Sequence, residues 1–131
     1  MRLVTPRLLI TDDDRDFRAT VADVLRSRGL QTLEAADGQE AIDLLSHETV
    51  HLLLLDMQMP RLSGLETIRR LREQELKVAV PWILISGALD DALIAAARAE
   101  AVMSILPKPL RLPQLTTAVQ DALRVTYNWP E

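Results

Sequence analysis

The 131-residue sequence contains no cysteine, which excludes a disulfide framework, a thiol nucleophile and a cysteine-ligated metal site, and suits a reducing compartment. Basic residues are not in excess: 15 Lys and Arg stand against 19 Asp and Glu, a formal charge of −4. Nucleic-acid surfaces need clustered positive charge, so direct nucleic-acid binding by this chain is not expected. Long apolar runs are also missing. Stretches such as Leu52–Leu55 fall far short of the roughly 20 residues that span a bilayer, and Met1–Thr5 carries no signal-peptide apolar region. These absences point to a soluble, cytoplasmic protein with no membrane segment. The two histidines, His47 and His51, read as solvated or strand-flanking residues rather than metal ligands. A chain of this length fits one domain and buries roughly two thirds of its unfolded surface, enough for a core without a staple.

The pattern alternates strand and helix five times, the signature of an α/β domain with a parallel sheet. Arg7–Thr11 reads as a buried strand, followed by Phe17, Val21, Val24 and Leu25 at helical spacing and by Gly29 in a helix-ending position. Leu30–Ala35 reads as a second strand, Asp37-Gly38 as a turn, and Ala41, Ile42, Leu44 and Leu45 as a helix face. Val50–Leu55 has the continuous apolar character of a central parallel strand. After a loop from Met57 to Ser63, Gly64 opens a helix with Leu65, Ile68 and Leu71 inward. Val80–Ile85 and Val102–Leu106 read as the fourth and fifth strands, separated by an Ala-rich helix over Leu89–Glu100. Asp90 and Asp91 fall in the first turn of that helix, where negative charge complements the dipole. Leu112, Leu115, Val119, Ala122 and Leu123 mark a fifth helix, so residues 1–124 form the expected domain and residues 125–131 a tail or the start of a linker.

Four of these apolar runs stop at chemically distinctive residues: Asp12-Asp13 after the first, Asp56 after the third, Ser86 after the fourth, and Pro107-Lys108-Pro109 after the fifth. In an open parallel sheet the carboxyl ends of the strands face one crevice, so these residues are expected to meet there. An acid pair, an acid, a hydroxyl and a lysine make a phosphoryl-transfer site. Asp56 is the candidate phosphoacceptor, a carboxylate able to attack phosphorus and become an acyl phosphate. Two unit charges ~4 Å apart repel by about 4 kcal/mol at an effective dielectric of ~20, so a cluster of Asp12, Asp13 and Asp56 calls for a divalent cation. Oxygen-only ligands favour Mg²⁺, with Asp13 and Asp56 as direct ligands and Asp12 acting through water. Lys108 fits as a point-charge phosphate binder and Ser86 as a hydroxyl donor to a phosphoryl oxygen. Each has a plainer role open to it: the acids as helix caps, Ser86 as a turn residue, Lys108 as a solvated loop residue.

The segments Leu8-Leu9-Ile10-Thr11-Asp12-Asp13-Asp14, Leu54-Leu55-Asp56-Met57-Gln58-Met59-Pro60 with Gly64, Ile83-Leu84-Ile85-Ser86-Gly87 and Pro107-Lys108-Pro109 together resemble a response-regulator receiver domain, the chemotaxis-regulator-like phosphoacceptor module of two-component signalling. The resemblance covers about Arg7 to Arg124. It implies a flavodoxin-like, doubly wound sheet in strand order 2-1-3-4-5 with five helices on two faces. It also implies a Mg²⁺ site that includes the backbone carbonyl of Gln58, and a cis peptide between Lys108 and Pro109. The implied reaction is transfer from a sensor histidine kinase or histidine phosphotransfer protein to Asp56. No enzymatic turnover is implied beyond the domain's own phosphorylation and dephosphorylation.

Some positions depart from the resemblance. Ile105 stands where an aromatic switch residue is usual, so an aromatic switch paired with Ser86 is replaced by repacking of the fourth helix and Ser86-Gly87 against Ile105. Ala101 and Val102 stand where Gly and Ala are frequent. Gln58 and Ala88 flank the approach of water, and the small Ala88 implies hydrolysis of the phosphoryl group within minutes. By resemblance, the fourth helix, fifth strand and fifth helix form the reporting surface, here with Ala95, Ala96, Ile105, Leu110, Arg98 and Arg111. That surface serves a downstream protein or a fused output domain; a phosphorylation-dependent homodimer through it is not the favoured use, because Met103 and Ser104 stand where acids are common in the winged-helix transcription subfamily. Two readings compete. A haloacid-dehalogenase-like phosphohydrolase normally carries an acid two residues after its nucleophile, and Gln58 cannot exchange a proton in that role. A phosphorylation-independent docking module has no use for the retained acids, Ser86 and Lys108.

Overall fold

The computed structural model describes residues 5–74 and 80–130. Met1–Val4 and Glu131, the extremities of the expected domain and tail, lie outside the described residues. Strands β1 (Arg7–Thr11), β2 (Gln31–Ala35), β3 (Leu52–Asp56), β4 (Trp82–Ser86) and β5 (Ser104–Pro107) alternate with helices α1 (Arg15–Ser27), α2 (Gly38–Leu45), α3 (Gly64–Glu73), α4 (Asp91–Ala99) and α5 (Leu112–Tyr127). The sheet is parallel, in the order β2-β1-β3-β4-β5.

Alternation along each strand divides the core between the two faces of the sheet. Leu8, Ile10, Leu52, Leu54, Ile83 and Ile85 point to the face covered by α1 and α5, where they meet Val21, Leu25, Leu115 and Val119. Leu9, Leu53, Leu55 and Leu84 point to the other face, against Ile42, Leu45, Leu65 and Ile68 from α2 and α3 and Ala97 from α4. Both β3 and β4 are buried along their whole length, which explains why they read as unbroken apolar runs. Each such leucine or isoleucine contributes about 1.5–3 kcal/mol by leaving water. Helix α4 is the least embedded, with Ala97 its one fully buried residue.

Several local expectations shift in the structure. Asp37-Gly38 is a helix start rather than a turn: the Asp37 carboxylate accepts the Glu40 amide and Gly38 is the first residue of α2. Caps and turns draw on the same residue types because both need a side chain that bonds its own backbone. Helix α4 is shorter than Leu89–Glu100, with Asp90 as its N-cap and not within its first turn. Helix α5 continues through Val125, Thr126 and Tyr127, residues that show no sequence period, and ends at Asn128 in the left-handed conformation at φ 57°. What holds that last turn is tertiary. The Tyr127 hydroxyl donates to the His51 carbonyl at 2.8 Å, and the two rings meet edge to face at 5.6 Å. His51 in turn accepts the Arg7 amide on Nδ1 at 2.9 Å, the strand-flanking position expected of it.

The start of α3 fixes how closely the β3 end is approached. A Cβ on Gly64 would lie 2.8 Å from the Asp56 carbonyl oxygen and 3.0 Å from Leu84 Cδ1. Because the first of these is backbone, the helix itself would have to move. Gly64→Ala is therefore expected to lower the free energy of unfolding by about 1–3 kcal/mol, the usual range for overpacking, read from urea denaturation.

Candidate functional site

The strand register brings the polar run-ends to one edge. Thr11 pairs with Leu55, so the next residues, Asp12 and Asp56, leave neighbouring strands at the same level. Asp56 pairs with Ile85, and Ser86 with Pro107, which places Ser86 and Lys108 one step further along the same edge. The loops leaving this edge are tied down by backbone bonds, Asp12 to Ala35, Met57 to Ile85 and Lys108 to Ser86.

Four acids and bases expected at the site converge. Lys108 Nζ lies 3.2 Å from Asp12 Oδ2 and 3.3 Å from Asp56 Oδ1, both carboxylates being almost fully buried. Carboxylate oxygens of Asp12, Asp13 and Asp56 all lie within 4.8 Å of one another, with Asp13 exposed. This is an oxygen-only set open to solvent on one side, and it fits a hard divalent cation that keeps some of its waters. The capping role open to the acids falls to Asp14 alone, whose carboxylate accepts the Asp16 and Phe17 amides. Asp12 uses its other oxygen to accept the Asp14 amide at 2.8 Å, which orients it toward Lys108.

Lys108 is not a solvated loop residue. It packs over the Phe17 ring at 4.9 Å, and the Lys108–Pro109 peptide is cis, as the resemblance implies. Burial alone would lower its pKa, but Asp12 and Asp56 beside it raise it. Burial pushes the Asp56 carboxyl up to about 6, helped by the charge of Asp12 and opposed by Lys108 and the Gln58 amide. A carboxylate so placed is charged at neutral pH yet poorly solvated, which suits a nucleophile.

Ser86 is buried at the end of β4 and accepts the Ala88 amide at 3.2 Å, so its plainer role as a turn residue holds as well. Its other neighbour is the Gln58 side chain, at 2.9 Å through Nε2. That contact joins residues 28 positions apart, and no spacing in the sequence signals it. Nor does spacing reveal Phe17 beneath Lys108, or Arg18, which donates to the Asp12 carbonyl at 2.6 Å and pairs with Glu34 at 3.2 Å.

Ile105 packs on the α4 side of the sheet together with Leu93, Ala96 and Ala97. Leu110, expected on that same surface, lies instead on the opposite face with Phe17 and Leu112, because the loop after Pro109 turns toward α1. Ala101, which stands where glycine is frequent, has φ 58°, the left-handed region that favours glycine.

The family model of the response regulator receiver domain matches residues 8–120. The chain belongs to this family. Among curated relatives, a response regulator receiver protein of Anaeromyxobacter sp. (strain Fw109-5) is 38% identical over 109 residues, covering 83% of this chain and 45% of that protein. The transcriptional regulatory protein CpxR of Escherichia coli (strain K12) is 30% identical over 125 residues, 95% of this chain and 52% of CpxR. This receiver domain thus spans about half the length of those relatives. Sporulation initiation phosphotransferase F of Bacillus subtilis (strain 168) is 28% identical and matched over its whole length. Among solved structures, a response regulator receiver protein from Pseudomonas putida superposes with a TM-score of 0.85 at 29% identity, covering 91% of this chain and 98% of that one. The chain is a receiver domain of two-component systems, and no helix among its described residues is long and apolar enough to cross a membrane.

Proposed function

We propose that Asp56 of this receiver domain accepts a phosphoryl group from the phosphohistidine of a sensor kinase or phosphotransfer protein. The observation that carries this reading is the single ammonium of Lys108 shared by the buried carboxylates of Asp12 and Asp56. An Asp56 oxygen attacks phosphorus while the phosphorus–nitrogen bond to the donor imidazole breaks, its electron pair returning to the ring. The product is an acyl phosphate on Asp56 and a free histidine on the donor. Lys108 holds a non-bridging oxygen as a point charge, and Ser86 donates its hydroxyl proton to another. Asp12, Asp13 and Asp56, with the backbone carbonyl of Gln58, would hold Mg²⁺, which when bound offsets the repulsion between carboxylate and phosphoryl oxygens.

The receiver unit on this reading runs past residue 124 to the end of α5 at Tyr127, whose side chain is docked on His51, and the residues after it lead toward a partner or a fused output domain. It works in the cytoplasm, turns over no substrate beyond its own phosphoryl group, and makes no direct contact with nucleic acid or membrane. The surface of α4, β5 and α5 reports the change through repacking of α4 and Ser86-Gly87 against Ile105, to a downstream protein or a second copy. Intact mass after incubation with acetyl phosphate and Mg²⁺ tests the acceptor. One added phosphoryl group is expected, absent from Asp56→Ala and from a chelator control. No addition, or addition that persists in Asp56→Ala, overturns the assignment.

A further inference from the structure

The Gln58 side chain does something that neither the fold nor the acceptor chemistry requires. It crosses from the β3–α3 loop to the end of β4 and meets two consecutive residues there. Gln58 Nε2 donates to Ser86 Oγ at 2.9 Å, while Gln58 Oε1 accepts the Gly87 amide at 3.3 Å and lies 3.3 Å from Ser86 Oγ. A serine hydroxyl has two acceptor sites and one proton. Its acceptor sites are taken by Gln58 Nε2 and the Ala88 amide, so the hydroxyl can only donate. Gln58 Nε2 and Oε1 lie side by side in one planar carboxamide, so the hydroxyl engages one of them at a time; the shorter contact is to Nε2, and Oε1 serves the Gly87 amide.

The repacking of Ser86-Gly87 that carries the switch moves a segment tied to the β3–α3 loop by both polar atoms of one carboxamide. That segment cannot shift as the hydroxyl turns to a phosphoryl oxygen without breaking the bridge. We propose that the Gln58 carboxamide is a latch that holds Ser86 and Gly87 in the resting arrangement, and that a phosphoryl group on Asp56 must displace it. Gln58 is thus a positioning residue acting through its side chain on Ser86. Its size matters less than its two hydrogen-bonding atoms. The inference rests on Asp56 as acceptor and on Ser86 as donor to the phosphoryl group.

The same contact supplies a reason for the switch to run without an aromatic residue. Breaking the Gln58 bridge frees Ser86-Gly87, the segment that leads into α4, and α4 is held by few buried side chains. The energy difference between the two arrangements then depends on a bond between loops and not on a large side chain changing pocket.

Beryllofluoride, formed from beryllium chloride and sodium fluoride with Mg²⁺ present, mimics the phosphoryl group and can be titrated by amide NMR. Gln58→Met keeps length and bulk but removes both polar atoms. It is expected to bind beryllofluoride about fivefold more tightly than the natural sequence, the factor one neutral hydrogen bond represents. Exchange of the Gly87 amide in the free protein should quicken by a similar factor, a readout that needs no phosphoryl mimic. In a Ser86→Ala background the gain in affinity from Gln58→Met should shrink to less than half. Gln58→Ala should give the same sign, since the position is solvent-facing and tolerates truncation. Unchanged or weaker beryllofluoride binding by Gln58→Met overturns the latch while leaving Asp56 as acceptor. A gain confined to Gln58→Ala assigns the effect to bulk and also overturns it. Absence of binding by every form removes the acceptor reading and the latch with it, whatever the Gly87 exchange shows.

Discussion

Asp56→Asn is expected to stabilise the fold at neutral pH while abolishing phosphoryl uptake. Burial and the neighbouring Asp12 raise the Asp56 carboxyl from 3.8 to about 6. The folded chain therefore holds this proton more tightly than the unfolded chain does. Below the unfolded value both states are protonated and the charge has no effect on stability. As pH rises from about 4 to 6 the unfolded state ionises first, and stability falls. Above pH 6 both states are ionised and the full penalty is present, about 3 kcal/mol for a shift of this size. Asparagine mimics the neutral acid, so the variant should be more stable by up to about 3 kcal/mol at pH 7.5, with the difference closing near pH 4. Urea denaturation in metal-free buffer across this range measures it. A difference that does not change with pH would show that the Asp56 charge is not the strained group. Adding Mg²⁺ should narrow the gap at pH 7.5, because a cation that binds the folded state alone stabilises the aspartate form.

Lys108→Ala is expected to do the opposite to stability and the same to function. Lys108 holds both buried carboxylates at 3.2 and 3.3 Å and is the group that most lowers the Asp56 pKa against burial. Without it, Asp12 and Asp56 face each other with no cation between them. The Asp56 carboxyl should titrate above its present value of about 6, visible by carboxyl-carbon NMR in metal-free buffer. Stability at pH 7.5 should fall where Asp56→Asn raises it. Phosphoryl uptake from acetyl phosphate should slow about a hundredfold or more, the range seen when one preorganised donor to developing charge is removed. Uptake within a few-fold of the natural sequence would mean that Lys108 serves the resting carboxylates only. The pair of variants separates two roles that a loss of activity alone would merge. Both lose transfer, and their stabilities move in opposite directions because one removes a buried charge and the other removes its partner.

The four run-ends illustrate how far local pattern carries. Apolar runs place Asp12, Asp56, Ser86 and Lys108 each at or just past the end of a strand, and a parallel sheet has one edge at which such residues collect. Their meeting is therefore legible in the sequence, as is the two-sided core, since β3 and β4 are apolar at every position up to their last residue. The division of labour within Asp12-Asp13-Asp14 was not. Three consecutive acids look alike in sequence, and it is the start of α1 that makes Asp14 the cap, leaves Asp13 exposed and turns Asp12 onto Lys108.

The parallel α/β layering, the buried strands and the chemistry of the strand ends follow from periodicity and residue type, which are local properties of the chain. Contacts between residues with no fixed spacing arise only on packing. Tyr127 extends α5 by reaching His51, Leu110 turns to the α1 face, Phe17 supports Lys108, and Gln58 closes over Ser86. Each of these is made by a side chain whose partner belongs to another element, and the distance between them is set only when the sheet and its helices have packed.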